Sequence, residues 1–250
     1  MNLPQSDQLE IKYLSRVFDK TSECYKFFWL QAIVSKVLEG RDVLTYNELI
    51  NEMIANAWYT VTEYHLNLGP RDTLESLIWH MQKTSCMKPS EDRDRVLEFL
   101  RETDDKEIRR LKSALTLNVP YRLQAPFMST DTAFWNCGRQ VLAEKINKQP
   151  RLIYYFNEIG GLDSEIQVSP DWLEYLRKNG EIVKGWLQYN MVLYLQKRNP
   201  SVPGISDKLY PPQERKLEKV KKYWKLVASI APVKDIYACM ELDWINISID

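Results

Sequence analysis

Three features of this chain predict a mainly α fold: a multi-helix, bundle-like body with one small β-hairpin near residues 151–168. Apolar residues recur at steps of three and four in segment after segment, which is the period of a helix with one buried face. Hydroxyl or carboxyl residues stand three positions before a glutamate at two helix starts, the spacing of a capping box. Only eight glycines occur in 250 residues, against eight tryptophans and fourteen tyrosines, a balance that suits packed helices better than a turn-rich β architecture. With 44% apolar and 27% charged residues, the composition is that of an ordinary globular protein able to bury a sizeable core.

The first strong helix is expected over about 21–39, where Cys24, Phe27, Phe28, Ala32, Val34 and Leu38 form a broad stripe. Trp29, Leu30 and Ile33 extend that stripe around the cylinder, which places the helix centrally, and Gly40 follows it as a terminator. Thr45 and Glu48 cap the next helix, in which Leu49, Ile50, Met53, Ile54, Ala57 and Trp58 mark one buried face. Asp72 and Glu75 repeat the device before Leu74, Leu77, Ile78 and Met81. The charged stretch 90–117 reads as two short amphipathic helices with a break near Thr103 and solvated charges. Between Val119 and Pro150 the signal weakens, because Pro120 and Pro126 interrupt regular structure; Phe134 and Trp135 are expected to pack.

Residues 151–159 are β-branched and aromatic enough for a strand, which pairs with 166–168 through the Gly160–Gly161 turn. Ser169 and Pro170 then start a helix, with a capping hydroxyl followed by proline at the first helical position. That helix is expected to break at Gly180, and a second aromatic-rich helix to run on to Pro200. The chain therefore divides into a helical domain over 1–198, a proline-rich linker over 199–212, and a basic segment over 213–250.

Chemistry is sparse in the sequence. No nucleophile elbow, phosphate-cradling glycine loop or compact metal knuckle occurs, so no catalytic residue is assigned. His65, His80 and Cys86 match no zinc-ligand spacing and read as ordinary helix and loop positions. Cys24, Cys86, Cys137 and Cys239 are far apart and read as reduced and mostly buried. The N-terminus lacks the pattern of a signal peptide and no apolar run is long enough to span a bilayer, so a cytoplasmic location is expected. A formal net charge of zero excludes a general polyanion binder, and any nucleic-acid contact must come from a local patch.

The best such patch follows the linker. Arg215, Lys216, Lys219, Lys221, Lys222 and Lys225 fall within eleven residues, opposed by Glu214 and Glu218. Leu217, Val220, Trp224 and Val227 recur at helical steps, so one face packs while the rest carries cations. Such a face fits a phosphate backbone, where neutralised phosphates release counterions; a merely solvated helix is the plainer reading.

The tail after this helix, 235–250, alternates short apolar segments as a small hairpin would. Together with KYWKL (222–226), PVKDIY (232–237) and SID (248–250), it resembles the approach to the nuclease motif in bacterial HNH endonuclease domain-containing proteins. CYKFFWLQAIV (24–34), LTYNELINEMIANAWY (44–59) and NVPYRL (118–123) resemble the helical front half of the same group. The resemblance implies that 213–250 is a basic helix and the start of a truncated ββα-metal domain. It implies a nuclease that hydrolyses phosphodiesters with a divalent ion such as magnesium, with Asp250 as one metal ligand. The histidine that would follow Asp250, and the later ligand, match nothing here, so the chain as given is expected to be inactive and to hold no metal. Restriction of foreign DNA is a role that such a nuclease fits. Two functions stay open: a DNA-positioning or regulatory front part of an HNH nuclease, or a helical protein–protein interaction module without a nucleic-acid role.

Overall fold

The computed structural model describes residues 2–128 and 132–212. Residues 1–211 form one compact unit and 212–250 a second. The first unit is mainly helical with a small three-stranded antiparallel sheet. A short helix α1 (Ile11–Ser15) precedes α2 (Tyr25–Leu38), which buries Phe27, Phe28, Trp29, Leu30, Ala32, Ile33, Val34 and Val37. A helix apolar on nearly all sides must be surrounded, and α2 packs between two long helices, α3 (Tyr46–Thr62) and α10 (Pro170–Arg198). Gly40 ends α2 at φ +91°, with its amide on the Val37 carbonyl and the Arg41 amide on the Lys36 carbonyl, both at 3.0 Å. That pair of bonds is a Schellman motif, and its left-handed residue favours glycine.

Strand β1 (Val43–Thr45) leads directly into α3, whose capping box forms as the sequence predicts: the Glu48 amide donates to the Thr45 hydroxyl (3.2 Å) and the Thr45 amide to the Glu48 carboxylate (3.0 Å). At α4 (Thr73–Thr84) the device forms by half. Asp72 accepts from the Glu75 amide (3.0 Å), but the Glu75 carboxylate turns to the Leu68 amide (2.8 Å) and staples the preceding loop instead. The expected break at Thr103 separates α5 (Arg93–Glu102) from α6 (Lys106–Leu115). Asp92 and Asp105 cap these two helices through their side chains.

One charge in this stretch is not solvated as expected. Lys112 is 5% exposed on the buried side of α6, with no described carboxylate in ion-pair range, and burial pushes its ammonium down to about 8. An amine whose folded value lies below its ordinary one lowers stability at neutral pH, and the loss fades as pH rises from about 8 to 10.5. Lys112→Met is therefore expected to raise the unfolding free energy by about 2 kcal/mol at pH 7. In urea denaturation the gain should shrink by pH 10.5; an equal gain at both pH values would show that charge burial is not its source.

Three short helices follow, α7 (Val119–Arg122), α8 (Thr132–Trp135) and α9 (Arg139–Asn147). The expected hairpin is present as β2 (Tyr154–Glu158) and β3 (Glu165–Val168). Its unexpected neighbour is β1, which pairs antiparallel with β3, so the sheet order is β1-β3-β2. The outer edge of β2 is closed by side-chain amides. Gln124 donates to the Tyr154 carbonyl (2.9 Å) and accepts from its amide (3.1 Å). Asn147 brackets Phe156 in the same way at 2.7 and 2.9 Å. Two primary amides thus stand in for the missing strand, which protects an edge that would otherwise recruit another chain.

Two expectations about α10 are corrected here. Helix α10 does not break at Gly180 but runs for 29 residues through it. A Cβ at this position would lie 2.7 Å from a Leu38 methyl, so the glycine makes room for α2 rather than ending the helix. The Ser169 hydroxyl does not cap α10 either; it donates to the Leu152 carbonyl (2.9 Å), leaving Pro170 to start the helix. Within the segment expected as a linker, 199–212, residues 199–211 belong to the first unit and bury Ile205 and Leu209. The Thr60 hydroxyl lies 3.2 Å from both the Lys208 and Leu209 carbonyls, and Gln31 donates to the Tyr210 hydroxyl (3.0 Å). Among the described cysteines Cys24 is buried, Cys137 half-buried and Cys86, against expectation, exposed. Among the described residues no helix is long and apolar enough to cross a membrane.

Candidate nucleic-acid interface

The cations singled out in the sequence, Arg215, Lys216, Lys219, Lys221, Lys222 and Lys225, lie outside the described residues, as do Asp250 and the hairpin expected at 235–250. Within the described residues, several cations without an ion-pair partner are interleaved with aromatic rings around α7, α8 and α9, in the stretch whose sequence signal is weakest. Helix α7 is anchored by Tyr121, buried and stacked on Phe156 with ring centroids 5.0 Å apart. Buried Leu123 and Gln124 hold the chain from the other side, so Arg122 is left in solvent between two anchored neighbours. Its guanidinium lies 4.2 Å from the centroid of the Trp135 ring, in cation–π range.

Helix α9 buries Leu142, Ala143 and Ile146 and leaves Arg139 and Lys148 in solvent. The Lys145 ammonium sits 5.8 Å from the Phe134 ring centroid and 3.7 Å from the Cys137 sulfur. Phe134 and Trp135 meet edge to face at 5.3 Å. Lys26 adds a further cation: it donates to the Val17 and Lys20 carbonyls, and burial and then the Arg122 charge push its ammonium below the ordinary value. Among the described residues no carboxylate stands within 4.0 Å of Arg122, Arg139, Lys145 or Lys148. Cations interleaved with large rings, with no described ion pair, are the ingredients of a surface for phosphates and bases.

Beside this stretch lies a shallow cavity of about 200 Å³, lined by Gln140, Glu144, Asn147, Phe156, Asn157 and Ile159. Its polar lining is amides and one carboxylate. Neither histidine belongs to it. His80 bonds Asp105 (3.0 Å), and that contact holds the Asp105 carboxyl below the usual range, since the same side chain also caps α6. His65 packs edge-on against Trp79 at 5.0 Å. Cys86 is exposed elsewhere on the chain. Among the described residues no three His, Cys, Asp or Glu side chains converge as metal ligands.

No protein-family model, curated protein or solved structure matches this chain. The stretch 122–148 escaped the sequence reading because its cations are spread over 27 positions between prolines. One signal was available: that stretch holds four cations and only two carboxylates, Asp131 and Glu144, in a chain whose net charge is zero as a whole.

Proposed function

We propose that this chain is the helical, nucleic-acid-positioning front part of an HNH-type nuclease, binding phosphodiester backbone without a complete catalytic motif of its own. The observation that carries the reading is the set Arg122, Arg139, Lys145 and Lys148, interleaved with Phe134 and Trp135 and left without described carboxylate partners. The cations at 215–225 and the resemblance of the tail to the approach of an HNH motif support it from the sequence. In this reading the cations of the chain hold the backbone, and the divalent ion belongs to the motif that would complete the nuclease.

The test is binding of fluorescent DNA, duplex and single-stranded, across a salt series. Affinity is expected to fall steeply with salt, because each neutralised phosphate releases counterion. Two triple variants, Arg122→Glu/Arg139→Glu/Lys145→Glu and Lys219→Glu/Lys222→Glu/Lys225→Glu, are each expected to weaken binding by about tenfold or more and to flatten the salt slope. Binding untouched by the first triple removes the α7–α9 stretch from the interface; untouched by both, it removes the proposal.

A second reading, a helical protein–protein interaction module, rests on a different observation. Ile182, Tyr189 and Leu193 are exposed on α10 at steps of seven and four residues, an apolar stripe 44–49% exposed. Absence of DNA affinity at low salt, together with a protein partner lost on Tyr189→Asp, would favour it.

A further inference from the structure

The corner where α2, α4 and the C-terminal end of α10 meet holds a set of acids that no function above uses. The loop 66–72 passes over it and is tied at nearly every residue. The Asn199 amide brackets Asn67, accepting from its N–H (2.8 Å) and donating to its carbonyl (3.1 Å). Glu75 holds the Leu68 amide, and the Tyr194 hydroxyl lies between the Leu68 carbonyl (2.8 Å) and that of Ser22 (3.0 Å). The Tyr25 hydroxyl accepts from the Thr73 amide, and the Arg198 guanidinium donates to the Ser22 carbonyl (2.6 Å).

Beneath this loop the polar accounting does not close. Asp72 is 4% exposed; its Oδ1 caps α4, while its Oδ2 is sealed from solvent without a hydrogen-bond partner. The Glu23 Oε2 is likewise sealed and unpartnered. It fills the space above Gly69, where a Cβ would come within 1.6 Å of it, so the close fit of loop and carboxylate requires glycine. Carboxylate oxygens only accept. The Cys24 and Glu75 amides offset part of the Asp72 charge and the Arg71 amide part of the Glu23 charge, but burial outweighs these, so a proton on one acid relieves the pair. The charged or titratable groups facing Asp72 and Glu23 are each other, Cys24 and Tyr25 around the start of α2, Glu75 from α4, and Tyr194 and Arg198 from α10; Arg71 contributes its backbone amide to Glu23. Arg198 is the cation whose charge reaches Glu23, and it bonds a backbone carbonyl rather than either sealed oxygen.

We propose that this corner is an acid-tightened latch, in which a proton on Asp72, opposite Glu23, closes loop 66–72 over Cys24 and its loss toward neutral pH loosens the loop. Burial first, with the Glu23 charge adding, pushes the Asp72 carboxyl up to about 7, and burial raises Glu23 as well. For a carboxyl raised above its ordinary 3.8, the closed state binds the extra proton. Its stabilisation is complete below that ordinary value, declines as pH rises, and is gone above about 7.

Cys24 is fully buried under the latch and reports its opening, while exposed Cys86 serves as an internal reference. The full chain is treated with 4,4′-dithiodipyridine, a disulfide that reacts with thiols from acid to neutral pH, and each cysteine is followed by peptide mapping. The rate at Cys24 relative to Cys86 is expected to rise about tenfold per pH unit between roughly pH 4.5 and 6.5 and to level above about 7. In Asp72→Asn, which keeps the helix cap but cannot ionise, the ratio stays flat at its acid value. Glu23→Gln, which removes the facing charge, moves the rise to higher loss of protons at lower pH, so that its midpoint falls. A flat ratio in the native chain, an undiminished rise in Asp72→Asn, or an unmoved midpoint in Glu23→Gln each overturns the latch.

Discussion

Replacing Trp29 by alanine is expected to lower the unfolding free energy by about 4 kcal/mol, as for other buried large-to-small aromatic changes. Trp29 is fully buried on α2, and its ring meets Tyr46 edge to face at 5.5 Å. Its indole N–H donates to the Tyr154 hydroxyl (3.2 Å), which itself donates to the Pro120 carbonyl. One side chain thus ties the central helix to the sheet and, through Pro120, to the start of α7. Removing it leaves a cavity that three anchored elements cannot easily fill, so the transfer loss and the cavity loss add. Trp29→Phe retains most of the apolar contact and is expected to cost about 2 kcal/mol. Urea denaturation of both variants checks the ranking; an alanine variant no worse than phenylalanine would mean that the core around Tyr154 relaxes into the space.

The second large effect belongs to an amide rather than a ring. Gln124→Leu keeps the volume of a fully buried side chain but strands the amide and the carbonyl of Tyr154 at once. Each orphaned backbone group costs about 1–3 kcal/mol, so the loss is expected near 3 kcal/mol in total, with little cavity contribution. Asn147→Leu, at a half-buried position where water can reach the freed groups, is expected to cost less. The edge of β2 is also uncovered, so Gln124→Leu should aggregate on concentration at temperatures where the native chain stays dispersed. Unchanged denaturation midpoints would show that this strand edge does not need its amide cover.

The same two sites separate what was legible along the chain from what was not. The Thr45–Glu48 box, the Gly40 terminator and the break at Thr103 were all legible, because each depends on residues within about five positions of one another. The central place of α2 was legible too, since a helix apolar on most sides has to be covered. The amide brackets were not. Gln124 reaches a partner 30 residues away and Asn199 one 132 residues away, and nothing about a lone amide in a sequence announces its partner.

Gly180 and Glu75 illustrate a sharper limit. A glycine within a helical pattern reads as a break, and locally that is reasonable, because its intrinsic cost is about 1 kcal/mol against alanine. The packing of Leu38 against it reverses the reading, since contact between α2 and α10 is worth more than the local preference. Glu75 has the spacing to close a capping box with Asp72, but the fold brings the Leu68 amide nearer and diverts it. That diversion leaves three carboxylates, Glu23, Asp72 and Glu75, gathered at one corner from positions that look unrelated in the chain.

By itself, then, the sequence determined the helical class, the Thr45–Glu48 capping box, the hairpin and the apolar faces, because these follow from short-range periodicity and from hydrogen bonds between near neighbours. Tertiary structure alone decided which polar groups are sealed, which cations around α7–α9 have no carboxylate partner among the described residues, and where Gly180 is needed. Those outcomes depend on which distant side chains share a desolvated space, and desolvation is a property of the packed chain rather than of any segment of it.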